Sequence, residues 1–149
     1  CEKGAQWHGA MGMIADMRSS RLEPDVISHN TAISACGKAA QWCEALRFVF
    51  DMWLSRLDQD AMTFGSAMNA CQKGAQGREA LRLMADMRVR RLEPDLVTYS
   101  SAMSACGHSS LGSEALRMFS NMQLHRLSPD ATAFNAVLTA CEKGACWHE

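Results

Sequence analysis

The sequence is poor in proline, in aromatic residues and in net charge. It has 3 prolines and 1 tyrosine among 149 residues, and aromatic residues make up 7% of the chain. The 15 Lys and Arg against 16 Asp and Glu leave a formal net charge of −1. This balance argues against a uniformly basic binding surface, although a local basic stripe is compatible with it. No apolar run approaches the roughly 18 residues that a membrane helix needs.

The sequence also lacks the motifs of common metal sites and active sites. It has no C-x-x-C pair, and the spacings from Cys36 to Cys43 and from Cys141 to Cys146 fit no common zinc pattern. Paired carboxylates, a nucleophile with a base and a Gly-rich phosphate loop cannot be placed. The H-x-E with C-x-x-C signature of the zinc deaminases is missing as well. The sequence therefore predicts no enzyme activity, no metal and no cofactor.

Cysteines are plentiful, and five of them recur every 35 residues, at Cys1, Cys36, Cys71, Cys106 and Cys141. Met, Arg, Leu and Asp residues also recur every 35 residues, and each such set of equivalent positions is called a column below. This repetition predicts a stack of identical supersecondary units. Stacked helices lie about 8–10 Å apart. A disulfide needs Cα atoms within roughly 7 Å, so these cysteines are predicted to be reduced core residues. Unpaired thiols indicate a reducing compartment.

Within one period, residues 26–60, the apolar spacing predicts two helices. Ser28 is the predicted N-cap of the first helix, which runs to about Lys38. One face of this helix is apolar, at His29, Ala32, Ile33 and Cys36. A break is predicted over 37–41, and the second helix over Trp42–Leu54. The predicted fold class is all-α, a solenoid of stacked 35-residue helical hairpins.

The repeat boundaries predict a single solenoid domain over residues 1–149. Whole repeats occupy 26–60, 61–95 and 96–130, and partial repeats occupy 1–25 and 131–149. Because the chain starts at Cys1 and both ends fall within a repeat, we expect an internal piece of a longer solenoid. Any leader, further repeats or terminal catalytic domain would then lie outside it.

The other side of each first helix carries short polar residues. In the first whole repeat this face holds Ile27, Asn30, Ser34 and Lys38. Later repeats present Met62, Gly65, Asn69 and Lys73, then Val97, Ser100, Ser104 and His108, then Thr132, Asn135, Thr139 and Lys143. A solvated face would more often carry long Glu and Lys side chains. The pattern therefore favours a binding groove, with a solvated face as the alternative.

Such a groove suits a flat ligand with hydrogen-bonding edges. Aliphatic residues can sandwich an unstacked base, polar side chains can reach its Watson–Crick edge, and lysines can contact the phosphate. An aspartate ends each repeat beside the next first helix, at Asp25, Asp60, Asp95 and Asp130. Since an Asp after Pro commonly caps the following helix, capping and ligand contact both stay open for these residues.

These features resemble the pentatricopeptide-repeat (PPR) family over the whole chain. The period is accompanied by Leu-x-Pro-Asp junctions at 22–25, 92–95 and 127–130, by Val-Thr-Tyr at 97–99, and by Glu-Ala-Leu at 44–46, 79–81 and 114–116. The resemblance implies an α-solenoid, wound as a right-handed superhelix, that binds single-stranded RNA one base per repeat. It also implies a place in mitochondria or chloroplasts, in RNA processing, stability, editing or translation.

The resemblance assigns roles to the polar face. In the family the fifth and last residues of a repeat choose the base, which gives the pairs Asn30 with Asp60, Gly65 with Asp95 and Ser100 with Asp130, and leaves Asp25 and Asn135 in incomplete pairs. The stacking position matches Ile27, Met62, Val97 and Thr132, and the phosphate position matches Lys38, Lys73 and Lys143. The family pairing implies 5′-U-G-G-3′ for the three pairs, followed by a pyrimidine at Asn135.

Three residues depart from the family pattern. Gly65 has no side chain to read a base, Gln59 replaces the junction proline, and His108 replaces a lysine. The alternative function is a peptide- or protein-binding scaffold built from the same hairpins, although the groove lacks the large aromatic anchors of protein hot spots. Protein partners through the rest of the solenoid stay open, and no membrane partner is expected.

Overall fold

Helices make up the regular structure of the chain. A computed structural model describes residues 5–144, with side chains over 7–143. These residues form eight α-helices and no strand: α1 Ala5–Ser19, α2 Val26–Lys38, α3 Trp42–Leu54, α4 Ala61–Lys73, α5 Gly77–Val89, α6 Leu96–His108, α7 Gly112–Leu124 and α8 Ala131–Gly144. The all-α prediction is confirmed, and α3 has the predicted bounds. Cys1 and Cys146 lie outside the described residues. Within them, no helix combines the length and apolarity needed to cross a membrane.

The chain divides into two units, Cys1–Ala70 and Cys71–Glu149, with the boundary inside α4. In the first unit, α2 packs against both α1 and α3. In the second unit, α6 packs against α5, α7 and α8, and α7 also packs against α8. Each unit therefore stacks helical hairpins on their sequence neighbours, as the 35-residue period predicts. One continuous domain and a right-handed superhelix stay predictions.

An aspartate caps each first helix. Asp25 has an extended backbone with ψ −177°, and its Oδ1 accepts the backbone N–H of Ser28 at 2.8 Å. The prediction that Ser28 is the N-cap was wrong, because Ser28 lies in the first turn and donates its own hydroxyl to Asp25. The other first helices begin with the same 2.8 Å bond, in the pairs Asp60–Thr63, Asp95–Thr98 and Asp130–Ala133.

The repeated Met, Arg and Leu columns mark the end of each second helix. After α3, Arg56 takes a left-handed backbone (φ 53°), and the N–H of Leu57 donates to the Met52 carbonyl at 2.9 Å. This bond closes a Schellman motif. The cysteine column does the same for the first helices, where carbonyls accept the amides of residues 41, 76 and 111. The columns recur because each repeat ends its helices in the same way.

The predicted core face of α2 is buried, at His29, Ala32, Ile33 and Cys36. The column of His29 continues in the core with Phe64 and Tyr99, but Phe134 is 51% exposed and packs its ring against Phe119. Phe134 lies in α8, and the described residues include no second helix of its repeat to cover it.

Consecutive first helices approach each other closely at two glycines. A Cβ at Gly37 would lie 3.0 Å from the carbonyl oxygen of Ser66 in α4. A Cβ at Gly107 would lie 3.1 Å from the carbonyl oxygen of Ala136 in α8. The break predicted from residue 37 therefore starts later, at 39, since Gly37 belongs to the helix and serves its packing.

Three cysteines of the column, Cys36, Cys71 and Cys106, are fully buried in the core. Cys141 is half-buried, so the core prediction was wrong for it, and Cys43, outside the column, is exposed. Burial raises the pKa of Cys36 to about 11 and that of Cys106 to about 12. Because the thiolate is the reactive form, we expect iodoacetamide at pH 7.5 to label Cys43 about tenfold faster or more than Cys36, Cys71 and Cys106. Peptide-resolved mass spectrometry after short pulses measures this. Fast labelling of Cys71 or Cys106 would mean that the helix faces are inverted.

The close approach at Gly37 predicts opposite effects for two alanine substitutions. Gly37→Ala should lower the free energy of unfolding by about 1 kcal/mol, since α4 must move to admit the methyl group. Gly65→Ala, where nothing lies within 4 Å of the new Cβ, should raise it by about 0.5–1 kcal/mol through helix propensity. Urea unfolding compares the two. Equal stabilisation by both would refute the tight contact.

Candidate functional site

Two grooves run between consecutive first helices, one in each unit. The α2–α4 groove has a volume of about 700 Å³ and is lined by Val26, Ile27, Asn30, Thr31, Ser34, Ala35, Lys38, Asp60, Met62 and Ser66. The α6–α8 groove has a volume of about 410 Å³ and is lined by Gln72, Leu96, Val97, Ser100, Ser101, Ser104, His108, Asp130, Thr132, Asn135, Ala136 and Thr139. Most of the residues predicted from the polar face therefore line a groove within their own unit.

Asn30 and Asp60 meet in the α2–α4 groove, although 30 residues separate them in sequence. Asn30 donates through its amide Nδ2 to Asp60 Oδ1 at 3.3 Å. The amide Oδ1 of Asn30 accepts the hydroxyl of Thr63 at 2.7 Å. Asn30 is only 7% exposed, whereas Asp60 is exposed. The predicted pair is thus held in one hydrogen-bonded cluster at the groove wall.

The Asp60 carboxylate is stabilised in its ionised form. Burial raises the pKa of Asp60, but three groups outweigh this effect: the Thr63 N–H and the Asn30 amide, which donate to Oδ1, and the Thr63 hydroxyl 2.9 Å away. The net result is a pKa below the ordinary value. At neutral pH this groove wall therefore offers a carboxylate acceptor beside an amide donor.

Ser100 and Asp130 both line the α6–α8 groove, but their surroundings differ from those of Asn30 and Asp60. Within the described residues, the buried Oγ of Ser100 has no hydrogen-bond partner. The Thr132 hydroxyl, followed by the backbone N–H of Ala133, lowers the pKa of Asp130. Asn135 is exposed on the same groove.

The remaining base-reading candidates lie elsewhere. Gly65 lies in α4 with open space at the Cβ position, and Asp95 caps α6 in the other unit. Asp25 caps α2, where the backbone N–H and hydroxyl of Ser28 lower its pKa. Both aspartates act as N-caps of first helices.

Exposed apolar residues and cations flank the polar clusters. At the predicted stacking position, Ile27 is 74%, Met62 67% and Val97 69% exposed, and Thr132 is exposed as well. Within each groove, exposed apolar side chains are typical of a binding surface, because contiguous apolar patches on soluble proteins mark interaction sites.

At the predicted phosphate position, Lys38, Lys73 and Lys143 are all exposed. Nζ of Lys143 lies 3.5 Å from Nδ1 of His108, the residue that replaces a lysine in this column. In the α2–α4 groove the apolar position Ile27 and the cation Lys38 are both lining residues, with Asn30 between them in sequence.

Sequence reasoning missed two residues of these clusters. Thr63 was not among the predicted site residues, although its hydroxyl contacts Asn30. Gln72 lines the α6–α8 groove and donates through Nε2 to Ser104 Oγ at 3.3 Å. The signal for Thr63 was its column, because Ser28, Thr63 and Thr98 all carry a hydroxyl three residues after the junction aspartate.

Sequence models of repeats match the centre of the chain. A PPR repeat family model matches residues 59–108, and a PPR repeat model matches residues 97–127. No curated protein matches the chain in sequence.

Solved PPR structures share the fold. The pentatricopeptide repeat protein PPR10 from maize is 22% identical with a TM-score of 0.76 over 94% of this chain. PPR10 in complex with an 18-nt psaJ RNA element is also 22% identical, with a TM-score of 0.75 over 96% of this chain. This chain spans 21% of the length of either PPR10 chain.

The PPR domain of Arabidopsis thaliana protein-only RNase P 1, solved in complex with tRNA, is 13% identical with a TM-score of 0.79. That match covers 98% of this chain and 80% of the domain. Together with the repeat models, the hairpin period and the junction motifs, these structures identify the fold as the α-solenoid of PPR proteins. Over residues 59–127, where the repeat models match, the chain belongs to the pentatricopeptide-repeat family.

Proposed function

We propose that the chain binds single-stranded RNA, one base per repeat, through the grooves between its first helices. The observation that carries this proposal is the joining of Asn30 and Asp60 in the α2–α4 groove, beside an exposed Ile27. Two of the structurally similar PPR chains were solved with RNA bound, which supports an RNA ligand.

The α2–α4 groove contains the chemistry that an unstacked base needs. Ile27 and Met62 offer apolar surface to the two faces of a base. The Asn30 amide and the ionised Asp60 offer a donor beside an acceptor, which complements an edge that pairs a carbonyl with an N–H group, as in uracil. Lys38, which lines the same groove nearer the end of α2, is assigned to the phosphate.

The α6–α8 groove is proposed as a second base site. Val97 and Thr132 stand in the stacking positions, and Ser100 with Asp130 reads guanine by the family pairing. For the pair Gly65 with Asp95 we propose a weak preference for guanine over the other bases, because glycine has no side chain to contact a base. The proposed target is therefore 5′-U-G-G-3′, with a pyrimidine following at Asn135.

We assign this binding to organellar RNA processing, stability, editing or translation, in a mitochondrion or chloroplast. In this proposal the chain binds and does not catalyse. The protein-binding alternative has one observation in its favour, an exposed and stacked pair of Phe50 and Trp53 on α3 with ring centroids 5.6 Å apart. This pair lies outside both grooves, so groove substitutions separate the two functions.

Asn30→Ser should move the first base preference from uracil toward guanine. The discrimination involved is on the order of 1–2 kcal/mol if RNA resembles good bidentate base readout. Fluorescence anisotropy with the octamers AAXGGUAA, where X is each of the four bases in turn, measures this preference. Wild-type protein should bind best with uracil at X, and Asn30→Ser with guanine.

Lys38→Ala and Lys73→Ala are the controls for this experiment. Both should weaken all four octamers about equally and flatten the salt dependence, because phosphates carry no sequence information. The groove assignment would be wrong if the lysine variants changed base preference while Asn30→Ser changed all affinities alike. Trp53→Ala should leave RNA affinity unaltered.

A further inference from the structure

Thr63 connects the two proposed base-reading residues of the first repeat. It is fully buried in the first turn of α4. Its Oγ1 lies 2.7 Å from Asn30 Oδ1, 2.9 Å from Asp60 Oδ1 and 3.3 Å from the backbone nitrogen of Asp60. Thr63 therefore contacts both partners of the pair from behind the groove.

Hydrogen counting assigns one arrangement to this cluster. A threonine hydroxyl has a single hydrogen to donate. Asp60 Oδ1 already accepts the Thr63 N–H at 2.8 Å and the Asn30 amide at 3.3 Å. The hydroxyl hydrogen thus goes to Asn30 Oδ1, its shortest contact, and the hydroxyl oxygen accepts the N–H of Asp60. The Asn30 amide is held with its oxygen toward Thr63 and its nitrogen toward Asp60.

We propose that Thr63 is a positioning residue for base selection, which rests on the RNA-binding function proposed above. With its oxygen engaged by Thr63, Asn30 has only its second amide N–H to present to a ligand. This N–H selects a base that offers a carbonyl oxygen. A turned amide would present an acceptor, which suits the amino group of cytosine or adenine.

The other repeats of the chain lack one part of this cluster each. Thr98 donates its hydroxyl to Asp95 at 2.6 Å, but the fifth residue paired with Asp95 is Gly65, which has no side chain to orient. In the α6–α8 groove the equivalent of Thr63 is Ala133, and the Oγ of Ser100 is left without a partner among the described residues. The selecting unit is therefore a set of three residues: fifth, last and the third of the next repeat.

Thr63→Val tests this role, with Thr98→Val as the matched control. Both variants remove a buried hydroxyl from the first turn of a helix, so both should lower the melting temperature by a comparable amount. The binding readout is the ratio of affinities for AAUGGUAA and AACGGUAA. We expect this ratio to fall from about tenfold to about twofold in Thr63→Val and to stay at the wild-type value in Thr98→Val.

Two further variants keep the test decisive. Thr63→Ser retains the hydroxyl and should restore the wild-type ratio. Thr63→Ala replaces Thr63→Val if the latter fails to fold, since Asp130 caps α8 by accepting the Ala133 N–H at 2.8 Å, with no hydroxyl at that position. An unchanged ratio in Thr63→Val or Thr63→Ala, with wild-type protein still preferring uracil, would overturn the role of Thr63 alone. A wild-type protein without base preference would overturn the RNA proposal and this inference together.

Discussion

A single hydrogen bond organises each repeat: the junction carboxylate accepts the backbone N–H three residues further on. Its length is 2.8 Å at all four junctions. By starting the first helix at a set residue, it determines which side chains of that helix face the core and which face the groove. The placement of Ile27, Asn30 and Lys38 along one groove depends on this start. The bond also helps keep Asp60 ionised, which the proposed ligand contact requires.

Much of the fold was predictable because the chain repeats its helix ends as well as its core. The 35-residue columns include the Schellman carbonyls of Met52 and Cys36, so the second helix was placed at its observed bounds. The N-cap was placed three residues late, because an Asp and a Ser three residues apart can each act as a cap and the pattern does not say which. The close contact at Gly37 was read as a helix end because a glycine that packs and a glycine that terminates look alike in sequence.

The candidate site was predicted less completely than the fold. Helical spacing separated the polar face of each first helix from its core face, and most residues of that polar face line the grooves. The burial of Asn30 and its contact with Thr63 were not predictable, because they depend on how closely α4 approaches α2. The spacing of residues in sequence indicates which side of one helix a residue occupies. The cluster of Asn30, Asp60 and Thr63 depends instead on the distance between two helices.

The different structural roles of Asp60 and Asn30 have a consequence for how the proposed base specificity can change. The last residue of a repeat is tied to the start of a helix, and it is aspartate at all four junctions. The fifth residue has no part in capping and is Asn, Gly, Ser and Asn in successive repeats, on helices that begin alike. Variation at the fifth position therefore leaves the helix cap in place, whereas variation at the last position would remove it. A repeat array can diversify its ligands one residue at a time while its architecture stays intact.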